Sequence, residues 1–277
     1  MTIAELRGYI HRMLTEAGIA EAEPECRIIL EHIGVSRTQA IVDPSIELGP
    51  KAEAAMAIAE ERADTRRPLQ YILGQAWFYG RPYAVDSRCL IPRFDTEILC
   101  REAIDAIAGM DNPRVVDICT GSGCVAITIA AETGLQVLAT DLSAEALQVA
   151  RHNADSLGAD VVFCQGDMFR AIEPGRMFDL IVCNPPYIDP AQESELEPEV
   201  TVYEPHMALY ADNRGLYFYQ RLAKEAPAYL REGGQLMVEI GDTQGQEVAA
   251  LFSQAGLRDI RVVKDYGNND RVVMARK

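Results

Sequence analysis

Arg114-Val115-Val116-Asp117-Ile118-Cys119-Thr120-Gly121-Ser122-Gly123-Cys124-Val125-Ala126 passes from strand to glycine loop to helix within one short run. Glycine has no Cβ, so the loop backbone can approach a ligand closely, beside the unpaired N–H groups that open a helix. Gly121 to Ala126 also satisfies the dinucleotide-type spacing G-x-G-x-x-A. By itself the stretch has a competing reading as a structural turn with no ligand.

From this unit onward, strand-like and helix-like segments alternate: 114–118, 123–132, 136–140, 144–157, 160–164, 178–183, 215–231, 234–240, 244–255, 258–264 and 271–276. The economical solution is an α/β fold, a mostly parallel seven-stranded Rossmann-like sheet with crossover helices on both faces. Only Asp265–Asp270 separates the final two strands, too short for a crossover helix, so the last strand is predicted antiparallel. Residues 1 to about 75 read instead as a small helical bundle. Thr2 and Glu5 suggest a capping box, Ile3, Leu6, Ile10, Met13 and Leu14 share a face, Pro24 and Pro50 open helices, and Ser36 caps another. Aromatic residues around Gly80-Arg81-Pro82 predict a β-hairpin linker over 76–92, with Trp77 as its anchor, and Asp95 or Thr96 as the cap of the next helix. The expected domains are therefore 1–75, 76–92 and 93–277.

Composition narrows the function classes. No run of about 18 apolar residues exists to span a membrane, and the N-terminus enters a helical pattern without a leader-like segment. The seven cysteines show no C-x-x-C pair or zinc spacing, which predicts buried reduced thiols, no metal and a cytoplasmic protein. A net charge of −16 argues against nucleic acid as a partner and fits a small molecule or a basic protein surface, or simple solubility.

Three further strand ends carry chemistry. Asp141 ends Val137–Thr140, where an acid can accept both hydroxyls of a ribose; it could also cap the next helix, but Ser143 can do that. Gly166-Asp167-Met168-Phe169 offers a carboxylate and a flat apolar neighbour for an adenine, or a plain β-to-α loop. After the buried-looking strand Phe178–Cys183 comes Asn184-Pro185-Pro186-Tyr187. Its prolines lack N–H groups and fix φ, so the Asn184 amide oxygen and the Pro185 carbonyl could clamp a planar NH2 group, with the Tyr187 ring laid against it. Arg93 and Asp95 either line this crevice or join the domains through salt bridges, and His206 reads as a loop residue. Gly233-Gly234-Gln235 reads as a turn entering a strand.

Together the glycine loop, the acid at 141 and Asn184-Pro185-Pro186-Tyr187 resemble class I S-adenosylmethionine-dependent methyltransferases acting on planar nitrogens. Arg67–Gly74, Leu90–Glu97, Glu204–Leu209, Glu239-Ile240-Gly241, Asp265-Tyr266-Gly267 and Asp270–Val273 are similar to the release-factor glutamine methyltransferase family (PrmC/HemK type). The resemblance implies S-adenosyl-L-methionine as cofactor, held by Cys119, Thr120, Gly121, Ser122, Gly123, Asp141, Asp167, Met168 and Asn184. It implies as substrate the glutamine of the Gly-Gly-Gln motif in class I peptide-chain release factors, lying against Asn184, Pro185, Pro186 and Tyr187, with the helical domain helping to grip the release factor. Two departures stand out. Cys119 replaces the family's usual first glycine, as in ribosomal-protein glutamine methyltransferases, and Met168 stands where an aromatic residue or leucine is common. A ribosomal-protein substrate is thus one alternative. An adenine-amino nucleic-acid methyltransferase is another, but it would need a basic groove; a catalytically idle cofactor-binding scaffold would not need the clamp.

Overall fold

Thr2 and Glu5 close a capping box in the computed structural model, which describes all 277 residues. Thr2 Oγ1 accepts the Glu5 N–H at 3.3 Å and the Glu5 carboxylate accepts the Thr2 N–H at 2.8 Å. In α1 (Ile3–Glu16) this box orients Ile3, Leu6, Ile10 and Leu14 into the core, with Met13 half-buried at the edge. α2 (Ala22–His32) begins just ahead of Pro24, which is tolerated in a first turn. α3 (Arg37–Val42) carries a second box, Ser36 with Gln39, and Pro50 opens α4 (Pro50–Thr65). α5 (Leu69–Leu73) ends on left-handed Gly74.

Within this helical unit Arg62, only 3% exposed, donates to both oxygens of Glu25 at 2.9 and 3.0 Å and to Glu199 at 2.9 Å. Arg66 donates to the second Glu199 oxygen at 3.0 Å, and the Tyr203 hydroxyl to the Thr65 carbonyl. A buried guanidinium demands such partners. The unit therefore comprises Met1–Gly74 plus Glu197–Tyr203, and the expectation that 93–277 is one uninterrupted domain is corrected. The capture is ionic, and apolar periodicity carries no trace of it.

The second unit is Gln75–Leu196 with Glu204–Lys277. It begins with the hairpin of β1 (Gln75–Phe78) and β2 (Arg81–Ala84), which packs as part of this unit and is not a free linker. Asn153 accepts the Ala84 N–H at 2.8 Å and donates to its carbonyl at 3.1 Å. Alternation along the hairpin buries Phe78 and Tyr83 and turns Trp77 outward, 68% exposed. Trp77 is thus not the anchor, since a shift of one residue exchanges the two faces. Trp77→Ala is expected to change unfolding free energy by less than about 0.5 kcal/mol, a value denaturant titration would check.

A 3₁₀ turn, Phe94–Thr96, leads into α6 (Glu97–Ile107), and neither Asp95 nor Thr96 makes the expected side-chain cap. There follow β3 (Val115–Ile118), α7 (Cys124–Thr133), β4 (Val137–Asp141), α8 (Ala144–Leu157), β5 (Val161–Gln165) and β6 (Phe178–Cys183). The chain then contributes α9 (Pro198–Tyr203) to the helical unit and returns for α10 (Tyr217–Glu225), β7 (Leu230–Glu239), α11 (Gly245–Gln254), β8 (Arg258–Lys264) and β9 (Asp270–Arg276). α10 is shorter than the expected 215–231 and passes into a 3₁₀ turn at Pro227. Gly233-Gly234-Gln235 lies inside β7, beside a register shift against β6.

The sheet runs β5-β4-β3-β6-β7-β9-β8, and β9 alone runs opposite to the other six strands. Val116, Ile118, Ile181 and Cys183 join one core cluster, and Val115, Leu180 and Val182 the other. Strands buried on both faces read as near-continuous apolar runs, and β3 and β6 do so apart from Asp117 and Asp179. All seven cysteines are free and five are buried, Cys119 and Cys164 being half-exposed. No helix is long and apolar enough to cross a membrane.

Candidate active site

From β3 the chain moves outward through β4 to β5, then returns to β6 on the other side of β3. In open α/β sheets such a reversal leaves a crevice outside the carboxyl ends of the strands. A cleft there is lined by Cys119 to Ser122 after β3, Asp141 ending β4, Asp167 and Met168 after β5, and Asn184 and Pro186 after β6. Gly123, Pro185 and Tyr187, expected alongside them, do not line it. A Cβ on Gly123, whose φ is +83°, would lie 2.8 Å from Ile127 and 3.1 Å from Ala150, so this glycine serves the packing of α7 on α8.

The glycine loop is braced from below. Buried Asp117 accepts the Thr120 hydroxyl at 2.6 Å, and the Thr120 N–H donates to the Thr140 carbonyl at 2.9 Å. Cys119 has φ +62°, a left-handed conformation that costs a side-chain-bearing residue roughly 1–2 kcal/mol. Glycine would adopt it without that cost.

Asp141 accepts the N–H groups of Gly121 and Ser143, each at 2.8 Å, and Ser143 Oγ caps α8 through the Ala146 N–H at 3.1 Å. Asp141 is therefore not the cap. Burial raises its pKa and the amide bonds oppose that. Asp167 is less available than expected: Arg221 donates to one of its oxygens at 2.6 Å and Arg170 faces the other at 3.5 Å. Met168 is buried in a left-handed conformation, φ +51°.

Asn184 donates from Nδ2 to Thr96 Oγ1 at 3.2 Å, which leaves Oδ1 as its acceptor. Tyr187 lies half-buried, its hydroxyl donating to Glu239 Oε1 at 3.4 Å and its carbonyl accepting from Gln244 Nε2 at 3.0 Å. Arg93 lines the cleft and pairs with Glu204, while Asp95 pairs with Arg271 at 3.2 Å. All four belong to the second unit, so neither pair joins the two units. His206 sits in a 3₁₀ turn with its ring edge-on to Tyr210.

Sequence reading missed Thr96, Asp117, Glu239 and Gln244. For Asp117 and Glu239 a signal existed, an acid inside or at the end of an otherwise apolar stretch of strand. Burial pushes both carboxyls up to about 7. The folded chain holds these two protons where the unfolded chain has released them, so their contribution to stability is full below about pH 4 and is lost as pH rises towards 7. Asp117→Asn is expected to remove up to one proton's share of that slope, about 1.4 kcal/mol per pH unit between pH 5 and 7. Denaturant titrations at stepped pH would check it; an unchanged slope would show Asp117 ionised when folded.

Known proteins match segments of both units. Residues 5–74 match the PrmC N-terminal domain model and residues 94–201 the methyltransferase small domain model. The release factor glutamine methyltransferase of Cereibacter sphaeroides is 41% identical over 98% of this chain and 96% of its own length. That of Chlorobaculum tepidum is 39% identical over 98% and 95%. A methyltransferase structure from Pyrococcus furiosus shares the fold, with TM-score 0.55 and 16% identity over 82% of this chain and 98% of its own. With relatives of that identity spanning both units from end to end, this methyltransferase belongs to the release factor glutamine methyltransferase family.

Proposed function

We propose that the chain transfers the methyl group of S-adenosylmethionine to the side-chain amide nitrogen of the glutamine in the Gly-Gly-Gln motif of class I release factors. The near-full-length identity to relatives bearing that activity in their names carries this reading. The cleft fits the cofactor by its own chemistry. At Gly121, φ +55°, nothing lies within 4 Å of where a Cβ would stand, so the backbone is open to a ligand, and the Asp141 carboxylate beside it is oriented by two amides. Cys119 to Ser122 and Asp141 would hold the nucleoside and amino-acid portions, with Met168 against the base. When bound, the cofactor supplies an electrophilic methyl on a sulfonium.

An amide nitrogen is a weak nucleophile because its lone pair is shared with the carbonyl. Asn184 Oδ1 accepts one substrate N–H and fixes the NH2 plane, and orientation of this kind supplies up to about 7–11 kcal/mol. As the nitrogen gains positive character its N–H acidifies, so the hydrogen bond strengthens on the way to the transition state. With the cofactor bound, the substrate nitrogen would accept the methyl as the sulfonium sulfur leaves as a neutral thioether, and the surplus proton would pass to water without a dedicated base on this chain. Tyr187 underpins the turn from below and need not touch the glutamine. Mass spectrometry of a release factor's Gly-Gly-Gln peptide after incubation with enzyme and cofactor tests the reading. A gain of one methyl on that glutamine is expected; an unmodified peptide, with methylated duplex DNA in a parallel reaction, would reject it.

A further inference from the structure

The Asn184 amide has one end that donates and one that accepts, and only one of them suits a substrate NH2. Rotated by half a turn, it would present its own N–H groups to the substrate's and repel them. What selects the orientation is Thr96, 1% exposed at the end of the 3₁₀ turn before α6, whose Oγ1 accepts from Asn184 Nδ2 at 3.2 Å. The carboxyl of Glu239, the last residue of β7 and 1% exposed, lies beside this hydroxyl. The Thr96 hydroxyl stabilises the charged form of that carboxyl, although Oε2 makes no well-directed hydrogen bond. Tyr187 donates to the other oxygen, and Arg271 of β9 and Asp95 act on the same group with opposite signs.

We propose that Thr96 is a positioning residue for methyl transfer. It holds the Asn184 amide so that Oδ1 faces the substrate. The Thr96 oxygen takes the Asn184 N–H. That bond also polarises the Asn184 amide towards a stronger acceptor at Oδ1. Its consequence for rate rests on the glutamine-methylation reading; the bond itself does not.

Thr96→Val keeps the shape and removes the hydroxyl, whereas Thr96→Ser keeps the hydroxyl and removes a methyl. Thr96→Val is expected to lower kcat on a release factor about 10–100-fold, as outer-shell losses do, with cofactor Kd and substrate KM within about 3-fold. Thr96→Ser is expected to restore kcat to within about 3-fold of the parent. A packing role would give the reverse order, Ser worse than Val, and would overturn the proposal. In an Asn184→Ala background, Thr96→Val should cost nothing further; an additive loss would also overturn it. A readout free of the reaction is the side-chain amide NMR signal of Asn184 in the substrate-free protein. It should shift and lose protection from exchange in Thr96→Val but not in Thr96→Ser, and an unmoved signal would sink the proposal whatever the substrate. A Thr96–Asn184 bond confirmed by NMR, in an enzyme that leaves release factors unmodified, would support the positioning assignment and reject the substrate instead.

Discussion

Asn184→Ala is expected to lower kcat for release-factor methylation by about 10²–10³-fold, roughly 3–4 kcal/mol of transition-state stabilisation, while cofactor binding stays measurable. Asn184 is the polar side chain that β6 delivers to the cleft. Its acceptor is the group that a substrate N–H meets as the nitrogen becomes positive. Because Asn184 is only half-buried, the loss should be kinetic, with a modest change in stability. Single-turnover methylation beside calorimetric cofactor binding separates the two effects. Turnover within a few-fold of the parent would remove Asn184 from the chemistry.

Gly215→Ala is expected to destabilise the fold by about 3 kcal/mol or more and to depress methylation as well. Gly215 has φ +79°, and a Cβ there would stand 2.1 Å from the Tyr187 carbonyl oxygen and 2.7 Å from Gln244 Nε2. The left-handed conformation alone costs a side-chain-bearing residue roughly 1–2 kcal/mol, and forced overpacking typically adds 1–3. The nearest atom in the way, the Tyr187 carbonyl oxygen, is backbone, so relief requires the Asn184–Tyr187 turn itself to move. A displacement of about 1 Å at a reacting group can cost 10²-fold in rate. Thermal unfolding and kcat measured on the same variant check both halves; a stable and fully active Gly215→Ala enzyme would show that the turn is not held from this side.

The α/β architecture was legible because β3 and β6 are apolar but for Asp117 and Asp179 and are bounded by glycine and proline, and because Asp265–Asp270 is too short for any crossover. Asp141 and Asn184 were legible because polar side chains at strand ends have few other reasons to be there. Thr96 and Glu239 were not, since each acquires its role only by meeting a residue 88 and 52 positions away. Nothing in Leu90–Glu97 distinguishes a cap from a buried hydroxyl, so Thr96 was assigned to the helix terminus by local rules that tertiary packing overrides. Trp77 failed for a narrower reason. Three aromatics in sequence satisfy the same hairpin pattern, and only the register decides which faces inward.

The capture of α9 by Arg62 and Arg66 bears on how this chain comes off the ribosome. The peptide crosses between the units at Gly74–Gln75, Leu196–Glu197 and Tyr203–Glu204. A nascent chain that has emerged only as far as Gly74 holds a guanidinium intended for two carboxylates and has just one, Glu25. The amino-terminal helices therefore complete their assembly only after the glycine loop, Asp141 and Asn184 have all been synthesised. The same thread would defeat a dissection made at the obvious boundary. A fragment starting at Gln75 keeps α9 but loses the helices that neutralise it, leaving Glu197 and Glu199 without their arginine partners downstream of the Asn184–Tyr187 turn.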